Sequence, residues 1–191
     1  MPPMPSQDYV FNRIINSIDK DELSISKAFS LFSIKDDSRY LELIHLFKYN
    51  GHRGIGFELG RELGQFIKYN TEIDYDFIVP VPIHSARMRE RGFNQSDVIA
   101  HALSRELAVP MKTELIFRIK YTKTQTLLSK DERKKNVENI FKPKKGFDCY
   151  SIKNILLVDD VLTTGSTINS AANCLLQMGA KRIDCASLAV A

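Results

Sequence analysis

Apolar residues recur along this chain in two spacings, and these divide it into helices and strands. Apolar positions three and four residues apart predict amphipathic helices near 40–47, 55–67, 96–107 and 167–178, with a shorter helix around 9–18. Short apolar runs predict strands at 77–82, 115–118, 155–159 and 183–190. Because the two kinds of element alternate, the pattern predicts an α/β protein with a parallel sheet flanked by helices.

Two adjacent carboxylates, Asp159 and Asp160, follow the apolar strand that starts at Ile155. Parallel sheets bind ligands beyond the carboxyl ends of their strands, so this pair is expected at a binding edge. A hydroxyl-rich loop comes next, and a helix follows it. The candidate residues of this loop are Thr163, Thr164, Gly165, Ser166 and Thr167.

The loop has the chemistry of a phosphate site. Gly165 permits a positive φ and a close backbone approach, and the start of the following helix favours an anion. The carboxylates would accept hydrogen bonds from a vicinal diol at about one ribose-width from that phosphate. Each part also has a simpler interpretation, because an Asp before a helix is often an N-cap and a Thr/Ser/Gly run is often a turn.

The complete strand–loop–helix pattern at 155–167 resembles the phosphoribosyl-pyrophosphate (PRPP) motif of type I phosphoribosyltransferases. The resemblance implies that Asp159 and Asp160 contact the ribose 2′- and 3′-hydroxyls, and that residues 163–167 hold the 5′-phosphate. The Gly-Lys-Ser/Thr of a Walker loop and the G-x-G-x-x-G of a dinucleotide site are both missing.

The whole chain of 191 residues has the length and composition of one soluble domain. No apolar run approaches the ~20 residues of a membrane span, and the first residues lack a signal-peptide pattern, so a cytoplasmic location is expected. The three cysteines, Cys149, Cys174 and Cys185, are far apart, which argues against a zinc site or a disulfide framework.

Positive charge is concentrated in one segment. The net charge is +4, but residues 112–145 alone hold eleven Lys/Arg and four acids, a balance of +7, which leaves −3 for the rest. A solvated surface excursion is the default interpretation, and binding of phosphates or nucleic acid is the alternative. The basic residues are 112, 118, 120, 123, 130, 133, 134, 135, 142, 144 and 145, and the acids are 114, 131, 132 and 138.

Three further motifs sharpen the resemblance. R-x-R-G-F-N-Q lies at Arg89–Gln95, T-x-x-Q at Thr122–Gln125 and E-R-x-x-N at Glu132–Asn136. Together with Leu46–Gly51, they closely resemble the ComF (ComFC-like) competence proteins over about residues 28–191. The implied fold is that of the type I phosphoribosyltransferases, with a flexible lid loop and a small N-terminal helical hood.

The resemblance places the pyrophosphate loop at Pro82, Ile83 and His84. Arginines make bidentate contacts to phosphate oxygens, and Arg87 and Arg91, four residues apart, are the favoured pair. A surface ion pair is the alternative for either arginine, and a backbone role is favoured over general-base chemistry for His84.

Residues 118–136 correspond by position to the lid that closes over PRPP in this fold. Gln125, Arg133 and Asn136 are its candidate ligand contacts, although Asn136 suits a capping role equally well. A closing lid excludes water and protects a reactive sugar from hydrolysis.

The family often begins with a zinc ribbon of two C-x-x-C pairs, and here no cysteine precedes Cys149. We therefore divide the chain into a polar leader at 1–27, without zinc, and a phosphoribosyltransferase-like domain at 28–191.

Three functions remain open from the sequence. The first is a PRPP-binding ComF protein that handles incoming single-stranded DNA, with competence proteins as further partners. The second is a salvage or biosynthetic phosphoribosyltransferase acting on a free base or amine, and the third is a nucleic-acid-binding protein without turnover. If there is turnover, a nitrogen nucleophile displaces pyrophosphate at C1. Mg²⁺ then enters with PRPP, with Asp159 as its possible protein ligand.

Overall fold

The computed structural model describes residues 5–18, 20–34, 39–49, 52–120, 140–147, 149 and 151–191. Its helices are α1 (Gln7–Ile15), α2 (Arg39–Tyr49), α3 (Arg53–Asn70), α4 (Ser85–Arg91), α5 (Gln95–Leu107) and α6 (Ser166–Gln177), with a 3₁₀ turn at Lys20–Glu22. Its strands are β1 (Lys27–Ser33), β2 (Phe77–Pro80), β3 (Ile116–Arg118), β4 (Phe141–Pro143), β5 (Asn154–Leu162) and β6 (Arg182–Val190).

Four strands form a parallel sheet in the order β1-β6-β5-β2, and β3 pairs with β4 in a separate antiparallel ribbon. β2 lies at an edge, where Pro80 can end it without breaking a central ladder. The predicted parallel α/β sheet is confirmed. The strands β1 and β4 and the short helix α4 had no counterpart in the sequence prediction.

Alternate residues of β5 pack into two separate cores, one on each face of the sheet. Ile155 and Leu157 point into the core beneath α1, α6 and the β3–β4 ribbon. Leu156 and Val158 point into the core beneath α3 and α5. This burial of both faces explains why β5 is a continuous apolar run up to Asp159.

The N-terminal helix is part of the first core. Ser6 caps α1, and Val10 and Ile14, four residues apart, are fully buried against the sheet. The side chain of Asn169 in α6 then holds the chain that follows, accepting from Ser24 N at 2.8 Å and donating to Glu22 O at 2.9 Å. The segment before β1 is therefore fastened to the helix that follows the hydroxyl-rich loop.

A buried polar network lies at the opposite, amino edge of the sheet. Tyr75 donates to Asp184 Oδ2 at 2.8 Å, and Arg182 donates to Asp184 Oδ1 at 3.0 Å. Asp184 has no exposed surface. Burial and the adjacent carboxylate raise the pKa of Tyr75 well above its usual range, so the phenol remains a donor.

Candidate functional site

The carboxyl edge of the sheet brings the acidic pair beside the turn after β2. β5 runs on to Leu162, three residues past the predicted end, so Asp159 and Asp160 lie within the strand. Asp159 is in register with Ser187 of β6. On the other side, Val81 N donates to Val158 O at 2.8 Å, which places the loop after β2 next to the acidic pair.

Asp159 is held by two donors. Ser96 Oγ at the start of α5 donates to Asp159 Oδ1 at 3.1 Å, and Asp160 N donates to the same oxygen at 2.9 Å. Burial and the charge of Asp160 raise the pKa of Asp159 to about 7, while these hydrogen bonds and Lys48 act in the opposite direction. The site thus contains a carboxyl that titrates near neutrality, as groups in functional clefts often do.

Asp160 pairs with a lysine from α2. Lys48 Nζ lies 2.8 Å from Asp160 Oδ2, and both side chains are less than one-fifth exposed. Gln95 supports this end of α2 by donating to Lys48 O at 3.3 Å. The sequence analysis assigned no role to Lys48 or Ser96. Lys48 lies within the motif Leu46–Gly51, and Ser96 directly follows the motif Arg89–Gln95. Their positions at these motifs were the signal that could have indicated a role.

The loop after β5 has the predicted conformation at its glycine. Gly165 has φ 72° and ψ −7°, in the left-handed region. α6 begins directly after it, and Ser166 N, the first N–H of the helix, donates to Thr164 Oγ1 at 3.4 Å. Thr164 and Ser166 hydroxyls lie 3.0 Å apart, Thr163 and Thr164 are exposed, and Thr167 is half-buried. The first turn of α6 therefore presents backbone N–H groups to an anion.

The residues proposed to bind pyrophosphate lie in the loop after β2 and in the helix α4 that follows it. Pro82, Ile83 and His84 are half-buried, and His84 Nδ1 accepts from Ala86 N at 3.1 Å, so His84 caps α4. Arg91 donates to Gln95 Oε1 at 3.0 Å, toward the start of α5. The side chain of His84 is thus a helix cap, and its role toward pyrophosphate stays a prediction.

Arg87 instead belongs to a cationic pair with Arg118 at the end of β3. Burial and the charge of Arg87 lower the pKa of the Arg118 guanidinium, and the charge of Asp159 opposes that shift. These three side chains are thus electrostatic neighbours. The sequence placed Arg118 at the start of the lid, whereas the structure places it in β3. Its position near Asp159 depends on how the ribbon packs.

The lid candidates Gln125, Arg133 and Asn136 lie at 121–139, outside the described residues. Cys149, Cys174 and Cys185 are buried and form no disulfide bond with one another. Within the described ranges, no three His, Cys, Asp or Glu side chains are grouped as a metal cluster. Among the same residues, no helix has both the length and the apolar character needed to cross a membrane.

Similarity to known proteins is concentrated in this half of the chain. Residues 94–190 match the family model of the phosphoribosyl transferase domain. Competence protein F of Haemophilus influenzae is 38% identical over 112 residues, which cover 59% of this chain and 49% of that protein. DNA utilization protein YhgH of Salmonella typhimurium is 35% identical over 161 residues, which cover 80% and 68%.

The chain thus spans about half the length of the Haemophilus relative. Among solved structures, a purine phosphoribosyltransferase from Pyrococcus horikoshii is 20% identical with a TM-score of 0.43, over 70% of each chain.

The parallel sheet, its flanking helices and the matched domain define a protein of the type I phosphoribosyltransferase fold. Within that class, the chain belongs to the ComF family.

Proposed function

We propose that this protein binds PRPP with Mg²⁺ at the carboxyl edge of the sheet and acts in the handling of single-stranded DNA. One observation carries the proposal. The acidic pair Asp159–Asp160 lies in the same strand that leads, through the left-handed Gly165, into the hydroxyl-rich start of α6. A ribose 5-phosphate needs acceptors for its diol and donors for its phosphate, and this strand and loop supply both in sequence order.

The pyrophosphate of PRPP would lie beside the loop at 82–84. Arg118 interacts electrostatically with both Arg87 and Asp159, and guanidinium groups suit phosphate oxygens. Two partly buried cations side by side repel each other, and a bound polyanion would relieve that repulsion. Arg91, already bonded to Gln95, has a supporting place at the start of α5 in this proposal.

The donor set fits magnesium that arrives with the ligand. Mg²⁺ prefers hard oxygen ligands and is commonly held by one or two carboxylates together with substrate phosphates. Asp159 and Asp160 offer such carboxylates. When bound, the ion would neutralise charge on the pyrophosphate, while Lys48 and Ser96 hold the two carboxylates in place.

Single-stranded DNA is proposed as the partner for two reasons. Relatives with substantial identity are named for competence and for DNA utilization. The segment 112–145 carries a net charge of +7, which suits a polyanionic partner.

A thermal-shift titration tests the PRPP site. PRPP with Mg²⁺ should raise the melting temperature, because a ligand bound only by the folded state stabilises it. Asp159→Asn combined with Asp160→Asn should remove most of that shift and leave the protein folded. A matched control is Glu72→Gln with Asp74→Asn, which removes two exposed carboxylates ahead of β2, near the amino edge of the sheet. An unchanged shift in the Asp159/Asp160 variant, with the control also unchanged, would show that PRPP binds elsewhere or without these carboxylates.

Release of pyrophosphate from PRPP separates the three functions. The assay uses a panel of free bases, and separately single-stranded DNA, as acceptor. Release with a free base favours a salvage or biosynthetic enzyme, and release only with DNA favours a DNA-directed transferase. PRPP binding without release favours a protein that has kept the fold as a ligand sensor.

A further inference from the structure

The β3–β4 ribbon has one face in the core and one face toward solvent. Ile116 and Phe141 are buried, at 1% and 5% exposed. Phe117 and Ile119 point outward, at 46% and 42% exposed. Ile119 N donates to Ile140 O at 2.8 Å, so the ladder continues one residue past β3 and holds both outward side chains on ordered backbone.

A lysine lies beside Phe117 on this outer face, and the ribbon as a whole is cationic. Lys142 is directly opposite Phe117 in the antiparallel register, so the two exposed side chains are cross-strand neighbours. The described residues 112–120 and 140–147 contain six Lys/Arg and one carboxylate, a balance of +5. That carboxylate is Glu114, which pairs with Lys144 at 2.6 Å. The cations are Lys112, Arg118, Lys120, Lys142, Lys144 and Lys145.

An exposed ring among cations has the chemistry of a single-strand platform. An unpaired base can stack on the ring while lysines contact the flanking phosphates. A stable protein interface buries about 800 Å² per partner, and its centre is depleted in charge. Two exposed apolar side chains beside a lysine, on segments with a net charge of +5, match the first partner and not the second.

We propose that the outer face of the β3–β4 ribbon binds single-stranded DNA, with a base stacked on Phe117 and phosphates held by Lys142 and its basic neighbours. This inference rests on the proposed function for its partner, but it uses a surface other than the PRPP site. Arg118, between Phe117 and Ile119, is a neighbour of Asp159, so the two surfaces lie on opposite faces of one strand.

The absence of tryptophan from the sequence permits a direct test of stacking. Phe117→Trp introduces a single indole at the proposed platform. Titration of the full chain with an oligo-dT should quench its fluorescence and leave the affinity at or above that of the parent. Tyr69→Trp is the matched control, because Tyr69 is 86% exposed near the end of α3, and its fluorescence should not change.

Affinity variants separate stacking from charge. Phe117→Ala should weaken oligo-dT binding by roughly fivefold to a hundredfold without changing the salt dependence. Lys142→Gln should weaken binding and reduce the slope of log K against log salt by about 0.7, since one phosphate contact is lost. Tyr69→Ala and Lys68→Gln, at exposed positions near the end of α3, should leave affinity and slope unchanged.

The outcomes distinguish this inference from the proposed function. If the parent binds oligo-dT but Phe117→Ala and Lys142→Gln bind equally well, the ribbon proposal is wrong and the DNA partner stands. If the parent does not bind oligo-dT, the ribbon proposal and the proposed DNA partner are both wrong. The PRPP thermal shift still tests the PRPP site in that case. Equal affinity for duplex without quenching, or tighter binding of oligo-rU than of oligo-dT, would also overturn the proposal. So would an indole at position 117 that is already shielded from an aqueous quencher before DNA is added.

Discussion

Ile14 of the first helix lies directly against Gly165 of the candidate phosphate loop. A β-carbon placed on Gly165 would stand only 2.7 Å from Ile14 Cγ2, and Ile14 itself is fully buried. Gly165 therefore has two requirements, a positive φ and the absence of a side chain. The N-terminal helix therefore supports the loop from the side of the core.

Gly165→Ala should destabilise the protein by roughly 2–4 kcal/mol, because strain at positive φ adds to a steric clash. It should also reduce the PRPP thermal shift. Chemical denaturation measures the first effect. Gly146→Ala is the control, since Gly146 has φ 77° but open space around its β-carbon, and should lose only about 1 kcal/mol.

Ile14→Ala completes a double-mutant cycle with Gly165→Ala. Alone it should cost roughly 2–5 kcal/mol through the cavity it leaves. Combined with Gly165→Ala it should cost less than the sum of the two, because the smaller side chain removes the clash. Strictly additive losses in the free energy of unfolding would show that Ile14 and the residue at position 165 do not interact.

Asp159→Asn should stabilise the ligand-free protein at pH 8 more than at pH 5. The pKa of Asp159 is about 7 in the folded state, above its usual value near 4, so between those values the folded state binds more protons than the unfolded state. The contribution of Asp159 to stability therefore falls as the pH rises from about 4 to about 7. Asp159 is partly accessible to solvent, so we expect a difference of roughly 1–2 kcal/mol between the two pH values. Equal effects in urea titrations at both pH values would contradict the shift.

Ser96→Ala should weaken PRPP binding, because Asp159 loses a positioned hydrogen bond. A loss of roughly 1–2 kcal/mol in stability is also expected. Ser104→Ala, on the same helix, removes a bond to Val109 O of 2.6 Å at its far end. It should lower stability and keep the full response to PRPP by calorimetry. A loss of PRPP affinity in both variants would contradict a specific role for the Ser96–Asp159 bond. It would mean that PRPP binding depends on the stability of α5 in general.

Tyr75→Phe should reduce the free energy of unfolding by roughly 1–3 kcal/mol, since Asp184 is fully buried and would lose its phenol donor. The change lies at the amino edge of the sheet, so the PRPP shift should remain. Its disappearance would show that this network is coupled to the opposite edge.

The regular elements could be predicted because the spacing of apolar residues within each element is enough to indicate it. The helices near 55–67 and 96–107 and the strand from Ile155 follow spacing alone. β1 was not predicted, because Ser30 and Ser33 interrupt its apolar pattern although both are buried. Lys48, Ser96 and Arg118 were missed at the site for another reason. Each reaches the acidic pair from a different element, and only the packing of those elements brings them together.

Phe117 and Arg118 are consecutive residues on opposite faces of one short strand, and this adjacency has a thermodynamic consequence. If a stacked base moves β3, the neighbours of Asp159 move with it. Any factor by which an oligonucleotide changes the affinity for PRPP must then equal the factor by which PRPP changes the affinity for that oligonucleotide. Through a strand of three residues, the affinity for either ligand would thus report whether the other is bound, whether the two compete or assist each other.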